Sequence, residues 1–121
     1  MVPEYWLNFI ASNQLVGKDF EIDEESDLSE LGADLKIMSK EQSIDESTNC
    51  SPGIWVSKSG YIPVGMCLSG SGDYYYLNVN DGKAGPLYRI YHDDVDESGF
   101  DDKAIDKVLE NYEQLLSHQS S

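Results

Sequence analysis

Basic residues are scarce in this chain. Lysine and arginine account for 8 of its 121 residues, against 23 aspartates and glutamates, so the formal charge is −15. Nucleic-acid binding depends on neutralising phosphates with Lys and Arg, and an anionic membrane attracts the same side chains, so the charge argues against both partners. It favours a basic partner instead, drawn in by long-range attraction. The alternative interpretation is an acidic surface that serves only solubility.

Cysteines and long apolar runs are also few. The chain has two cysteines, Cys50 and Cys67, and no apolar stretch that approaches the roughly 18 residues of a membrane span. The N-terminus lacks the charged start and apolar run of a secretion signal. We therefore expect free thiols and a cytoplasmic protein. The length predicts one domain over residues 1–121, with a frayed Ser/Gln-rich tail at 117–121.

Residues that could perform catalysis or hold a metal are scattered. The two histidines, His92 and His118, and the two cysteines lack the spacing that zinc requires. The run 94–99 resembles the start of a calcium loop, but Ile105 stands where the bidentate glutamate should be. His92 could pair with a neighbouring aspartate or simply contact backbone or a carboxylate, and no motif places a nucleophile beside it. We expect no enzyme activity, catalytic residue, metal or cofactor.

The turn at 70–72 is glycine-rich, as phosphate-binding loops are. Such loops lead from a strand into a helix, whereas this one leads into an aromatic strand and is followed at once by Asp73. We interpret it as a turn between strands. Gly70 and Gly72 would allow a positive φ or close backbone approach there, and the Asp73 side chain would cap the turn.

The spacing of apolar residues and the positions of turn residues predict an α+β fold. Its sheet is mostly antiparallel, with about four to six strands, and is packed by N-terminal and C-terminal helices. Ser39 with Gln42 three residues later forms a capping-box pattern for a short helix to about residue 46. The apolar stripe from Ala104 to Leu116 predicts the final helix. The remaining elements are a helix over roughly 3–13 and strands at 20–22, 35–38, 54–56, 64–68, 73–79 and 87–91.

Acidic residues are concentrated in two segments, and tyrosines lie close to the second. Asp19–Glu30 carries seven carboxylates and Asp93–Asp102 carries six. Tyrosines at 74–76, 88 and 91 fall on adjacent predicted strands, so some should be core and others should lie on an exposed face. Charge beside aromatic rings suits recognition of a basic protein.

Five short motifs follow one another in a fixed order along the second half of the chain. They are Ile62–Gly65, Gly70–Tyr74, Leu77 with Asn78, Gly85–Tyr88 and His92 with Asp93. In this order they resemble the SUKH superfamily of Smi/Knr-like domains. Trp55 and the aliphatic final helix also lie where that family has them. The resemblance covers about residues 35–116, and one departure is Asn78, where members often carry aspartate.

The resemblance implies an α+β fold without catalytic residues. In bacteria it implies a cytoplasmic immunity protein that binds and neutralises a secreted toxin, often a basic nuclease, in a polymorphic or contact-dependent toxin system. The alternative is a regulatory scaffold domain for cell-wall or signalling proteins. The toxin's identity and the oligomeric state stay open.

The sequence predicts roles for two groups of residues, one that binds the partner and one that supports the structure. For the partner-binding group, Asp19–Glu30 is the competing docking segment. The predicted partner-binding residues are Tyr91, Asp93, Asp94, Asp96 and Glu97. The predicted structural residues are Trp55, Gly70, Gly72 and Asp73.

Overall fold

The computed structural model describes residues 1–120, and its centre is one antiparallel sheet of six strands that neighbour one another in chain order. This confirms the predicted α+β fold class. The strands are β1 Asp19–Ile22, β2 Ala33–Ile37, β3 Tyr61–Cys67, β4 Tyr75–Asn78, β5 Leu87–Ile90 and β6 Ile105–Leu109. The α-helices are α1 Glu4–Ser12, α2 Lys40–Asn49 and α3 Gly53–Val56. Short 3-10 helices cover Ser57–Ser59, Val79–Asp81, His92–Asp94, Asp102–Ala104 and Tyr112–Ser117.

The larger core lies between one sheet face and the two ends of the chain. Burial alternates along β2, with Ala33, Leu35 and Ile37 facing this core, because successive strand residues point to opposite faces. Helix α1 buries Trp6 and Ile10 against it. Tyr112, from the last 3-10 helix, packs edge-on to Trp6 with ring centroids 5.2 Å apart. The N-terminal helix is therefore confirmed.

A second, smaller core covers the other sheet face. Val56 from α3 and Val95 from the loop after β5 pack there with Tyr76 and Ile90. Tyr75 and Tyr76 are consequently both buried, at 2% and 0% exposure, although they point to opposite faces. The expectation that alternate tyrosines of this strand lie on an exposed face is wrong at Tyr76, because this second layer covers it.

The capping box that begins α2 is present as predicted. The Ser39 hydroxyl accepts a hydrogen bond from the Gln42 backbone N–H at 3.2 Å, and the Gln42 side chain accepts one from the Ser39 N–H at 2.8 Å. The helix continues to Asn49, three residues beyond the predicted end.

The predicted strand at 54–56 is wrong, because these residues form the short helix α3. The Val56 N–H donates to the Pro52 carbonyl, closing a helical turn. Gly53 makes the arrangement possible, since a Cβ there would lie 2.2 Å from the Glu46 carbonyl oxygen. α3 thus packs directly on the backbone of α2, a contact that local propensity does not report.

The predicted long C-terminal α-helix is also wrong. The segment forms a 3-10 turn, strand β6 and the 3-10 helix Tyr112–Ser117 in succession. β6 pairs with β5, with Ile105 opposite Ile90, and this pairing satisfies the backbone groups that β5 would otherwise expose. Most of the apolar stripe is still buried, although Leu116 is 47% exposed.

Both outer strands of the sheet are covered. The Leu28 N–H donates to the Val108 carbonyl of β6. The C-terminal tail is hydrogen-bonded to β1, since Phe20 bridges Gln119 and the Ser120 N–H donates to the Asp19 carbonyl, and the predicted fraying of 117–121 stays a prediction. Ser121, the last residue of that predicted tail, lies outside the described residues. No helix between residues 1 and 120 is long and apolar enough to cross a membrane.

Candidate functional site

The loop that follows β5 contains the predicted docking residues and is fastened at several points. The Tyr91 N–H donates to the Ala104 carbonyl at 2.8 Å, and Val95 is inserted into the second core with 6% exposure. Asp96 and Gly99 exchange two backbone hydrogen bonds. Between these fixed points lie the exposed side chains of Asp93, Asp94, Asp96 and Glu97.

Asp96 is fixed within this loop by a tight turn. Its carboxylate accepts hydrogen bonds from the Ser98 hydroxyl at 2.5 Å and the Ser98 N–H at 2.9 Å. These bonds lower the pKa of Asp96, so it stays ionised at lower pH than an ordinary aspartate. Neither Asp94 nor Glu97 forms an ion pair with a basic residue of the described chain. The loop therefore fixes the Asp96 carboxylate in place and leaves the charges of Asp94 and Glu97 without a basic partner among the described residues.

Tyr91 is less available than the sequence suggests. It is partly buried, and its hydroxyl donates to Asp106 Oδ2 on β6 at 2.5 Å. Burial, together with the adjacent Asp106 carboxylate, raises the pKa of Tyr91 to about 12. Two other aromatic side chains lie at this site, namely Phe100, which belongs to the loop itself, and Trp55, which the fold brings next to the loop.

A groove of about 510 Å³ lies between the short helices after α2 and this loop. Trp55 packs against the second core and also lines the groove, and the structural role predicted for it stays a prediction. The Lys58 ammonium lies over the Trp55 ring, 5.8 Å from its centroid. Aromatic surface and carboxylates thus share one concave site. The groove is lined by Trp55, Lys58, Ser59 and residues 96–100.

The glycine turn and His92 form the support behind the loop. Gly70 and Gly72 have φ of +89° and +79°, which confirms the conformation predicted for them. The prediction that the Asp73 carboxylate caps its own turn is wrong, because this carboxylate bonds to His92 instead. It accepts the His92 N–H at 3.0 Å and contacts His92 Nδ1 at 2.5 Å. The interpretation of His92 as a residue contacting a carboxylate fits this geometry, with Asp93 3.3 Å from Nε2.

The competing acidic segment, residues 19–30, forms one side of an open cleft of about 680 Å³. Its loop is held from beneath by Arg89, which is 4% exposed. The guanidinium donates to Gly32 O at 2.6 Å and to the Ser29 hydroxyl at 2.7 Å, and it pairs with Asp27 at 3.2 Å. Asp27 is itself only 1% exposed, so it adds no surface charge.

Sequence reasoning did not single out Arg89. The available signal is that this residue is the only arginine of the chain and stands inside an apolar strand, between Tyr88 and Ile90. A charge at such a position needs a buried partner. Nothing in the spacing, however, identifies that partner as Asp27, 62 residues away.

The two cysteines are free, as predicted, but their surroundings differ. Burial raises the pKa of the Cys67 thiol, yet hydrogen bonds from the Ser69 and Ser71 hydroxyls and from backbone N–H groups outweigh it and lower the value to about 7. Both hydroxyl oxygens lie 3.2 Å from the Cys67 sulfur. Burial and nearby carboxyl groups raise the pKa of Cys50 instead.

Within residues 1–120, no three or more His, Cys, Asp or Glu side chains are grouped so that they could hold a metal ion. Comparison of the chain with protein-family models, curated proteins and solved structures finds no match in any of the three. The candidate site is thus described by its geometry alone, as an exposed acidic loop beside a groove that contains two aromatic side chains.

Proposed function

We propose that this protein is an immunity-type inhibitor that binds and neutralises a cognate basic, nuclease-like toxin domain in the cytoplasm. The observation that carries the proposal is the loop after β5, where exposed carboxylates are held beside the partly buried rings of Trp55 and Phe100. The net charge of −15 and the SUKH-like motifs support it. Nuclease surfaces that hold nucleic acid are basic and therefore complement such a loop.

The loop's attachment to the fold matters for affinity. Val95 in the second core and the Asp96–Gly99 backbone pair fix the loop before any partner arrives. Association then orders fewer torsions, so less of the interaction free energy is lost on binding. The carboxylates would accelerate and orient encounter, while the aromatic rings would contribute buried contact.

The cleft of the first acidic segment is the weaker candidate. Leu31, which lines the cleft, is 60% exposed and supplies apolar contact, but the residues that line the cleft include no aromatic ring. Aromatic side chains dominate the binding energy of most interfaces. We therefore place the partner on the later loop.

Charge neutralisation tests this placement. Replacing Asp93, Asp94, Asp96 and Glu97 with Asn or Gln changes the formal charge from −15 to −11. Association with the toxin domain encoded by the neighbouring gene should slow and lose much of its salt dependence, with little change in folding. Stopped-flow measurement at several salt concentrations would show both effects.

A matched control removes the same charge from the other segment. Asp23, Glu24, Glu25 and Glu30 are all exposed, so their Asn or Gln variants also reach −11. We expect faster association from this control than from the loop variant. An on-rate of the loop variant that equals wild type at low salt would contradict the docking site. A neighbouring gene product that is harmless, or that kills despite co-expression of this protein, would contradict the immunity function.

The two separate acidic surfaces also favour one alternative, a regulatory scaffold domain that binds two partners at once. Such a domain would form a ternary complex, in which each four-residue variant loses one partner and keeps the other. An inhibitor would instead form a single complex with one toxin domain. The mass of the complex, measured by light scattering, distinguishes the two functions.

A further inference from the structure

The groove beside Trp55 already holds a cation from the protein itself. Lys58 is exposed at its rim, with its ammonium over the Trp55 ring. It forms no salt bridge with any carboxylate of residues 1–120, although Asp96 and Glu97 line the same groove. The ring face is therefore a site for positive charge, and the flexible Lys58 side chain lies over it.

We propose that this groove binds an arginine side chain of the partner, which displaces Lys58 and lies over Trp55 while bonding to the carboxylate of Glu97. The identity of that partner rests on the proposed function; the chemistry of the groove does not. At about 510 Å³ the groove falls within the usual size of ligand pockets.

Arginine suits this arrangement better than lysine. A guanidinium is planar and stacks on an aromatic face while its edge donates two parallel hydrogen bonds to a carboxylate. The Glu97 carboxylate makes no ion pair with the described residues, so it is free to accept them. Asp96, fixed by Ser98, adds a second negative charge at the same wall. An ammonium over the ring, as Lys58 shows, satisfies only the first of these contacts.

The two tryptophans make the site measurable. Trp6 is 0% exposed in the larger core, whereas Trp55 lines the groove, so the Trp6 indole serves as an internal reference. The probes are acetylated, amidated Gly-Arg-Gly and Gly-Lys-Gly peptides, titrated against ¹⁵N-labelled protein. We expect the arginine peptide to shift the Trp55 indole signal and leave Trp6 in place. The lysine peptide should bind more weakly.

Two variants and one control sharpen the measurement. Lys58→Ala should tighten binding of the arginine peptide about two- to fivefold, because an exposed cation–π contact no longer competes. Glu97→Gln should weaken it by up to about fivefold. Lys40→Ala removes an exposed lysine of α2 that does not line the groove, so this variant controls for the charge change alone. A Trp55 signal that does not move, equal binding of the lysine peptide, or identical effects of the two lysine variants would overturn the proposal.

The same signal separates this inference from the proposed function. Neutralisation of the toxin domain with an unshifted Trp55 indole in the complex would overturn the arginine site and leave the immunity function standing. Specific binding of the arginine peptide without neutralisation would support the site and refute the immunity function.

Discussion

Replacing Arg89 with methionine would remove the cation that connects the first acidic loop to the sheet. The guanidinium is 4% exposed and its partner Asp27 is 1% exposed, with 3.2 Å between Nη2 and Oδ2. The same group donates to the Gly32 carbonyl and the Ser29 hydroxyl. Methionine keeps most of the side-chain volume, so the change reports lost charge and hydrogen bonds rather than a cavity.

The expected loss of stability is large. Removing one partner of a buried ion pair leaves the other charge uncompensated and costs about 3–5 kcal/mol. Domains of ordinary stability have a free energy of unfolding of about 5–15 kcal/mol, so Arg89→Met should remove roughly a fifth of the total or more. Asp27→Asn should also destabilise, because it leaves Arg89 buried without a carboxylate. The double variant should lose less than the two single losses combined, since neither charge is then left alone.

Urea unfolding followed by tryptophan fluorescence measures these differences. Lys36→Met is the matched control, because Lys36 and Asp19 form an ion pair at 2.7 Å whose side chains are 39% and 43% exposed. Such a pair should contribute no more than about 1 kcal/mol. A loss for Arg89→Met no larger than that of the control, or strict additivity with Asp27→Asn, would refute the view that this buried pair holds the loop.

Two further changes test the glycine turn and the thiol beside it. Gly72→Val should destabilise by about 1–3 kcal/mol through its positive φ, and more than Gly70→Val, because a Cβ at 72 would lie 3.3 Å from the His92 ring whereas 70 is open. Cys67 should react with iodoacetamide at a rate that rises through pH 7 and levels off above it, as its thiolate forms near its pKa of about 7. Cys50, whose pKa is raised, should still be accelerating at higher pH.

Each of these outcomes has a clear opposite. A Gly72→Val variant that melts like wild type but fails to bind the proposed toxin domain would show that Gly72 contributes to the docking surface rather than to the structure. If both thiols titrate together, the hydroxyls of Ser69 and Ser71 do not stabilise the Cys67 thiolate. The variant Ser71→Ala is an independent check, because loss of this hydroxyl should move the pH midpoint of Cys67 reactivity upward.

The sequence predicted the elements whose signals are local. The capping box at Ser39, the glycine turn at 70–72 and the strand at 35–38 depend on neighbouring residues, and all three are present, the last as β2. The segment 105–109 was misjudged because its apolar spacing also fits a helix. Its strand form follows from pairing with β5, a partner that periodicity cannot identify.

The candidate site was predictable in charge but not in composition. The acidic run after His92 is visible in the sequence, and the structure does place it on an exposed loop. Trp55 and Lys58 join it through the fold alone, because α3 and the loop pack on the same small core. Phe100 belongs to the acidic run itself, so it was visible in the sequence but was not singled out. Tyr91 stands next to the acidic residues in sequence, yet its hydroxyl is already bonded to Asp106.

Strand β5 connects the two acidic surfaces. The side chain of Arg89 bonds to the first loop, and the carboxyl end of the strand leads directly into the second. Two segments of like charge repel each other, which opposes their attachment to one small domain. A buried cation under one and an apolar plug, Val95, under the other supply fixed points that do not depend on surface neutralisation. The surface carboxylates are thereby left free for a partner while the strand beneath them carries the structural contacts.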